Sequence, residues 1–154
     1  MEMTGEYLIE APRETVWAAL NDVDVLRACI PGCKELEQTS DTTMEAKVTQ
    51  KIGPVKATFT GAVELVNIDA PNGYTIQGEG KGGVAGFAKG SADVSLTEEP
   101  EGTRLVYTAH AQVGGKLAQL GSRLINSTAK KVADQFFANF HDHLTNPEPA
   151  DTNG

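Results

Sequence analysis

"KLAQLGSRLINSTAKKVADQFFANFHDHL" (residues 116–144) repeats its apolar side chains at helical spacing, and what that face packs against decides the fold. Leu117, Leu120, Leu124, Thr128, Val132, Phe136, Phe140 and Leu144 recur at every third or fourth position. Gly121, Ile125, Ala129, Ala133 and Phe137 widen the stripe, while Arg123, Lys130, Lys131 and Asp134 fall mostly outside it. The pattern starts past Gly114-Gly115 and holds for about 30 residues, roughly eight turns. A helix with so broad an apolar face must bury it, and the large partner on offer is a sheet.

Upstream, from about Glu35 to Val113, the period is two. Met44, Ala46 and Val48 alternate with Glu45, Lys47 and Thr49. Beyond Gly53-Pro54, Val55, Ala57, Phe59, Gly61, Val63 and Leu65 form one face against Lys56, Thr58, Thr60 and Glu64. Pro71-Asn72-Gly73 and Glu99-Pro100-Glu101-Gly102 are hairpin turns, separating strands at Tyr74 to Gly80, Val84 to Leu96 and Thr103 to Val113. The result is an antiparallel meander. At the front, Thr4 to Ile9 reads as a strand, and Ala11-Pro12 opens a helix carrying Val16, Trp17 and Leu20. Asn21 or Asp22 ends that helix and caps a second short one through Val25, Leu26 and Cys29, which Pro31-Gly32 stops. A strand, two short helices, a curved antiparallel sheet and a long C-terminal helix make an α+β helix-grip fold, the sheet wrapped around the helix. Residues 1–144 form one domain, and 145–154 have the polar, Pro-rich composition of a disordered tail.

The inward side of this sheet is unusually small. Its register places Ala57 and Gly61, Gly78 and Gly80, Ala88, Gly90 and Ala92, and Ala109 and Ala111 on one face, where Val, Ile and Leu are the norm. Either the helix settles onto these residues and fills the interior, or curvature holds it off and leaves an apolar chamber near Phe59, Tyr74, Phe87 and Tyr107. An empty void costs about 24 cal/mol per Å³, so a chamber of a few hundred Å³ would forfeit several kcal/mol that an apolar ligand partly restores.

The chain has 154 residues, 40% of them hydrophobic and 22% charged, as expected of a globular domain able to bury its own core. Its net charge of -8 argues against nucleic acid and against general adhesion to anionic lipid, leaving room only for a local basic patch. No apolar run reaches membrane-spanning length, and the acidic N-terminus lacks a secretory h-region, so a cytoplasmic location is the expectation.

Candidate chemistry is thin. Both cysteines lie in "CIPGC" (29–33), a C-x-x-x-C that cannot supply four zinc ligands and sits at a helix end; it reads as a structural corner. Gly78 to Gly83 matches G-x-G-x-x-G, but no helical stripe follows to hold a pyrophosphate. The glycines that follow suggest a bent hairpin whose tip residue Phe87 reads as core, with a gate or a membrane-touching residue as rivals. His110 sits on the polar face, and His141 and His143 flank Asp142 at a helix end. No catalytic constellation, metal set or cofactor motif emerges.

The stretches "ALNDVDVLRACIPGC" (18–33), "VTQKIGPVKATFTG" (48–61), "GEGKGGVAGFAKGSADVSL" (78–96), "GTRLVY" (102–107), "AQVGGKLAQLGSRLI" (111–125) and "AKKVADQFF" (129–137) together resemble the carbon monoxide dehydrogenase G-subunit family, a branch of the START/Bet v1-like (polyketide cyclase/SRPBCC) superfamily. The resemblance runs to about Leu144. It implies a helix-grip fold with a deep apolar cavity, and neither catalysis nor a cofactor in the protein itself. It also implies a partnership with a molybdenum hydroxylase, such as aerobic carbon monoxide dehydrogenase. The associated role is recruiting that enzyme to the inner face of the cytoplasmic membrane by peripheral contact, or carrying a quinone or lipid-like molecule. The C-terminal linker and anchor of some relatives has no counterpart in residues 146–154, which argues against permanent anchoring. The family's "IPG" matches Ile30-Pro31-Gly32 and supports the corner reading. The expected cavity lining is Trp17, Phe59, Tyr74, Phe87, Tyr107, Leu117, Leu120 and Leu124. A small cyclase using the same cavity, and a ligand-free docking module, are the rival readings.

Overall fold

The computed structural model describes residues 1–145 of the chain; the tail foreseen at 145–154 lies outside the described residues except for Thr145. Seven strands form one antiparallel sheet: β1 (Glu2–Ile9), β2 (Cys33–Gln38), β3 (Thr43–Ile52), β4 (Val55–Asp69), β5 (Gly73–Lys81), β6 (Phe87–Glu99) and β7 (Gly102–Gly114). Their spatial order is β1-β7-β6-β5-β4-β3-β2, so β2 through β7 run as a meander and β1 closes against β7. Between β1 and β2 lie α1 (Arg13–Leu20) and α2 (Val23–Cys29); α3 (Ser122–Thr145) follows the sheet. This is the helix-grip architecture read from the sequence.

Local chemistry fixes the short helices. Asp22 caps α2, its carboxylate accepting from the backbone N–H of Asp24 (2.9 Å) and Val25 (3.4 Å). Past α2 the chain turns at Gly32 (φ +74°), where a Cβ would stand 2.1 Å from the carbonyl oxygen of Thr49. Gln50 Nε2 donates to the Pro31 carbonyl at 2.7 Å and Thr49 N–H to the Gly32 carbonyl at 2.9 Å, which locks this corner onto β3.

Two features depart from the sequence reading. The long C-terminal helix is not continuous: Gly115–Leu120 is a 3₁₀ segment, and Gly121 breaks it from α3 at φ +94°. A glycine inside the apolar stripe keeps the spacing while allowing a backbone turn that other residues resist. In addition, β6 begins at Phe87, not Val84, because Gly83–Ala85 forms a 3₁₀ turn.

The core occupies one end of the sheet. Ile9, Leu65, Tyr74, Val94, Leu96, Leu105 and Tyr107, which share that end in register, bury themselves with Val16 and Leu20 of α1 and Phe140 of α3. Ala133, Phe136, Phe137 and Leu144 of the C-terminal half of α3 pack against them. The aromatic rings interlock: Phe137 stacks on Tyr7 (4.4 Å between centroids) and Tyr107 (5.8 Å), and Phe136 on Phe140 (5.7 Å).

Candidate functional site

The opposite end of the concave face is built differently. Cross-strand register lines up Ala46, Gly61, Gly80, Ala88 and Val113 in one row, and Met44, Val63, Gly78, Gly90 and Ala111 in the next. A third row, Leu65, Ile76, Ala92, Ala109 and Met3, borders the core. Every small residue assigned inward from the sequence lies on this face.

The glycines divide into two kinds. A Cβ at Gly61 would stand 2.0 Å from the Glu79 carbonyl oxygen, and one at Gly90 2.4 Å from that of His110, so close strand approach excludes side chains there. At Gly78 a Cβ would meet only Ala62 O and Val63 Cγ2, both at 3.6 Å; at Gly80 only Phe59, at 3.4 Å. These are ordinary contacts with the neighbouring strand. Among the described residues, then, no atom of α3 lies within 4 Å of a side chain begun at either position. The backbone of α3 comes close to β1 on one flank and β3 on the other, gripping the sheet. The inward apolar residues over this half, Val48, Phe59, Val63, Ile76 and Val113, are half-buried, unlike their buried counterparts at the packed end. At Gly78 and Gly80, then, the floor is not covered by α3.

The expected lining residues fall in three places. Phe59 lies on the floor beside Gly80 and Gly82. Leu117 is buried in the 3₁₀ segment, while Leu120 and Leu124 are half-buried at the rim, with Leu124 against the β3–β4 turn at Gly53. Trp17, Tyr74 and Tyr107 stand at the boundary with the core: Trp17 packs on Tyr74 at 5.1 Å, and the Tyr74 hydroxyl donates to the Leu20 carbonyl at 3.3 Å. Phe87 is the correction. Ala88, Gly90 and Ala92 point inward, so alternation turns Phe87 outward over Gly114, where it is 42% exposed and neither core nor floor. Met3, Val48, Val63, Ile76 and Val113 also share the concave face; the same alternation could have added them.

Ionisable groups on the inward face include three tyrosines, Tyr7, Tyr74 and Tyr107; at the far end Glu98, in register with Thr103, lies 3.8 Å from Arg13 of α1. Burial is the leading cause holding each phenol above its ordinary value, so all three stay protonated near neutrality. Tyr7 donates to Asp134 of α3, which Lys130 also holds at 2.8 Å. Cys29 is buried, Cys33 half-buried, and desolvation raises both thiols, more in Cys33 than Arg27 lowers it; such thiols are weak nucleophiles. His110 pairs with Glu2 (3.2 Å) on the outer face and His141 with Glu10 (3.1 Å). Among the described residues no group of three or more His, Cys, Asp and Glu is placed to hold a metal ion. Gly78–Gly83 runs from β5 into the 3₁₀ turn and on to β6, so no helix N-terminus meets this G-x-G-x-x-G. A broad open trough of about 1010 Å³ is lined by Glu45, Glu64, Glu79, Lys89 and His110 of the outer face and reaches Met44, Val63, Gly78, Gly90 and Ala111 of the second row.

A comparison with curated proteins gives no match. Among solved structures, a conserved protein from Geobacillus kaustophilus is 32% identical with a TM-score of 0.88, the match covering 94% of this chain and 95% of that one. The Zhui aromatase/cyclase from Streptomyces sp. R1128 shares the fold at 10% identity and TM-score 0.68, over 94% and 93% of the two chains. Ara h 8.0201 does so at 14% and 0.65, over 94% and 97%. The family model for the G subunit of carbon monoxide dehydrogenase (CoxG) matches residues 5–145, from the middle of β1 to the last residue of α3, and so takes in the packed end and the open floor alike. The chain belongs to the CoxG family.

Proposed function

We propose that this chain is a non-catalytic carrier that holds an apolar molecule, quinone or lipid-like, between the sheet and α3. In this reading it serves a molybdenum hydroxylase of the carbon monoxide dehydrogenase type at the inner face of the cytoplasmic membrane. One observation carries the ligand part: Gly78 and Gly80 leave room that neither strand geometry nor helix packing requires. Protein interiors fill such space unless something else does. The family name supports the partner. The residues wagered to touch the ligand are Phe59 on the floor, Leu117, Leu120 and Leu124 at the rim, and Trp17, Tyr74 and Tyr107 at the inner boundary.

The likeness to an aromatase/cyclase favours a second reading, an enzyme using the same cavity. The inward tyrosines, protonated near neutrality, can donate a hydrogen bond to a carbonyl but cannot act as bases there.

Native mass spectrometry of the protein mixed with a ubiquinone or menaquinone tests the carrier. A one-to-one adduct that survives gentle activation is expected. Failure with quinones and with phospholipids would end this reading, and turnover of an aromatic polyketide would replace it with the enzyme.

A further inference from the structure

We propose that the open end of the molecule, with Val84 at its apex, is the face that docks on an anionic lipid bilayer. Such a face would give the carrier its point of delivery, and it rests on the carrier reading only for its purpose.

Charge is the first observation. The three segments that meet at the open end, residues 47–62, 80–92 and 109–127, hold seven of the thirteen Lys and Arg and none of the twenty-one Asp and Glu. The rest of the chain has six basic residues against those twenty-one acids. A chain of net charge -8 is therefore strongly polarised along its strands, with a basic lobe around the mouth of the apolar floor. Lys47 has Glu35 within 3.8 Å and Lys89 faces Glu79 across the strands, but local stability does not account for the tip of the β3–β4 hairpin. Lys51 and Lys56 are direct cross-strand partners at the β3–β4 hairpin, a like-charge pairing that sheets disfavour. Within this lobe Lys81 is the direct partner of Phe87, and Phe87 of Gly114, two residues before Lys116.

The loop at the centre of this lobe is the second observation. Its 3₁₀ turn is firmly seated: Ala85 is 4% exposed, and Gly86 packs so closely that a Cβ would stand 2.0 Å from the Gly114 carbonyl oxygen. Yet Val84, one residue earlier, is 90% exposed, and Phe87 beside it 42%. A lone exposed valine is ordinary on protein surfaces. Glu79, the cross-strand partner of Lys89, is the one carboxylate lining the same depression as Lys81 and Phe87. A seated loop that presents a valine and a phenylalanine among more lysines than carboxylates fits an interfacial anchor: apolar tips enter the headgroup region while long basic stems stay at the phosphates. An acidic protein surface would satisfy the charge. It would leave Val84, which stands proud and has no surrounding apolar patch, a poor interface core.

Co-sedimentation of the full chain tests this with two sets of vesicles: phosphatidylcholine alone, and phosphatidylcholine with phosphatidylglycerol in about a two-to-one ratio. Binding to the anionic vesicles is expected, with loss at high salt as the screening length falls from about 8 Å to about 3 Å. Each surface lysine contributes about fivefold to partitioning, so the K81Q/K89Q/K116Q variant should bind about a hundredfold more weakly. Val84→Asp should also release the protein, while E35Q/E37Q on β2 should not. Thermal melts of each variant confirm folding, and quinone adduct formation is followed in parallel. Vesicle binding unaffected by the lysine and valine substitutions would overturn the proposal. So would absence of vesicle binding while the quinone adduct forms, which leaves the carrier standing; so would variants that lose a hydroxylase in pull-down when the parent never binds lipid. Loss of the adduct with vesicle binding intact would instead remove the carrier and keep the docking face.

Discussion

Replacing Gly78 with alanine asks whether the floor is open. Glycine inside a strand costs about 0.5–1 kcal/mol relative to alanine through the entropy of the unfolded chain. A methyl group moved onto a half-buried apolar surface adds up to about 0.8 kcal/mol. Its nearest neighbours would be Ala62 O and Val63 Cγ2 at 3.6 Å, neither close enough to strain. The free protein should therefore gain about 1–2 kcal/mol, and with about 2–4 °C per kcal/mol for a chain this long its melting temperature should rise by roughly 2–8 °C. A ligand fitted to that space meets the methyl as overpacking, at about 1–3 kcal/mol, so affinity should fall by about 5- to 150-fold. Gly61→Ala is the internal contrast. A Cβ there would stand 2.0 Å from Glu79 O, which the backbone must move to relieve, so the melting temperature should drop. Differential scanning calorimetry and a ligand titration read both quantities. If Gly78→Ala destabilises the protein as Gly61→Ala does, something fills the floor and the chamber reasoning is wrong.

Three further perturbations probe the packed end. Phe140→Ala removes the largest fully buried side chain and should cost about 3–5 kcal/mol in a urea titration, with the slope unchanged if folding stays two-state. Thr103, fully buried, donates its hydroxyl to the Ala11 carbonyl at 2.7 Å; Thr103→Val leaves that acceptor unpaired and should cost about 1–3 kcal/mol by the same assay. The Lys130 and Tyr7 hydrogen bonds hold the Asp134 carboxyl below its ordinary value of 3.8. A depressed folded value means that this stabilisation is complete above 3.8 and disappears as pH falls through the folded value. Melts of the parent and Asp134→Ala should thus differ at neutral pH and converge on strong acidification; a constant gap would show that the ionised carboxylate is not what ties α3 to β1.

Strand order and register were readable because independent signals agreed. Pro71-Asn72-Gly73 and the Glu99–Gly102 turn fixed two hairpins, and alternation in β4 through β7 concurred on which Gly and Ala face inward. Phe87 was misplaced although that same alternation points it outward; its aromatic character outweighed its parity. The break at Gly121 could not be read from spacing, since a 3₁₀ segment joined to a helix preserves the three-and-four pattern that signals one long helix. The basic lobe was hidden for another reason. Net charge averages over the chain, and Lys51, Lys89 and Lys116 become neighbours in one lobe only through pairings between distant strands.

The two kinds of glycine explain how one sheet both curves and stays open. Gly61 and Gly90 let adjacent strands approach more closely than any side chain allows, which is how a sheet coils sharply. Gly80 pairs directly with Gly61, and Gly78 with Gly90, so the unobstructed positions lie in the same two rows as the obligatory ones. Bending and openness therefore come from paired residues on neighbouring strands, Gly61 of β4 and Gly90 of β6 against Gly80 and Gly78 of β5, and substitution at one kind of site should leave the other intact. Stability cannot come from this half, where small side chains bury little apolar area. It is supplied at the far end of the same strands, where Tyr7, Tyr107, Phe136, Phe137 and Phe140 interlock. Segregating dense packing from open space along the strand axis lets the open half take in a guest without disturbing the aromatic cluster on which folding depends.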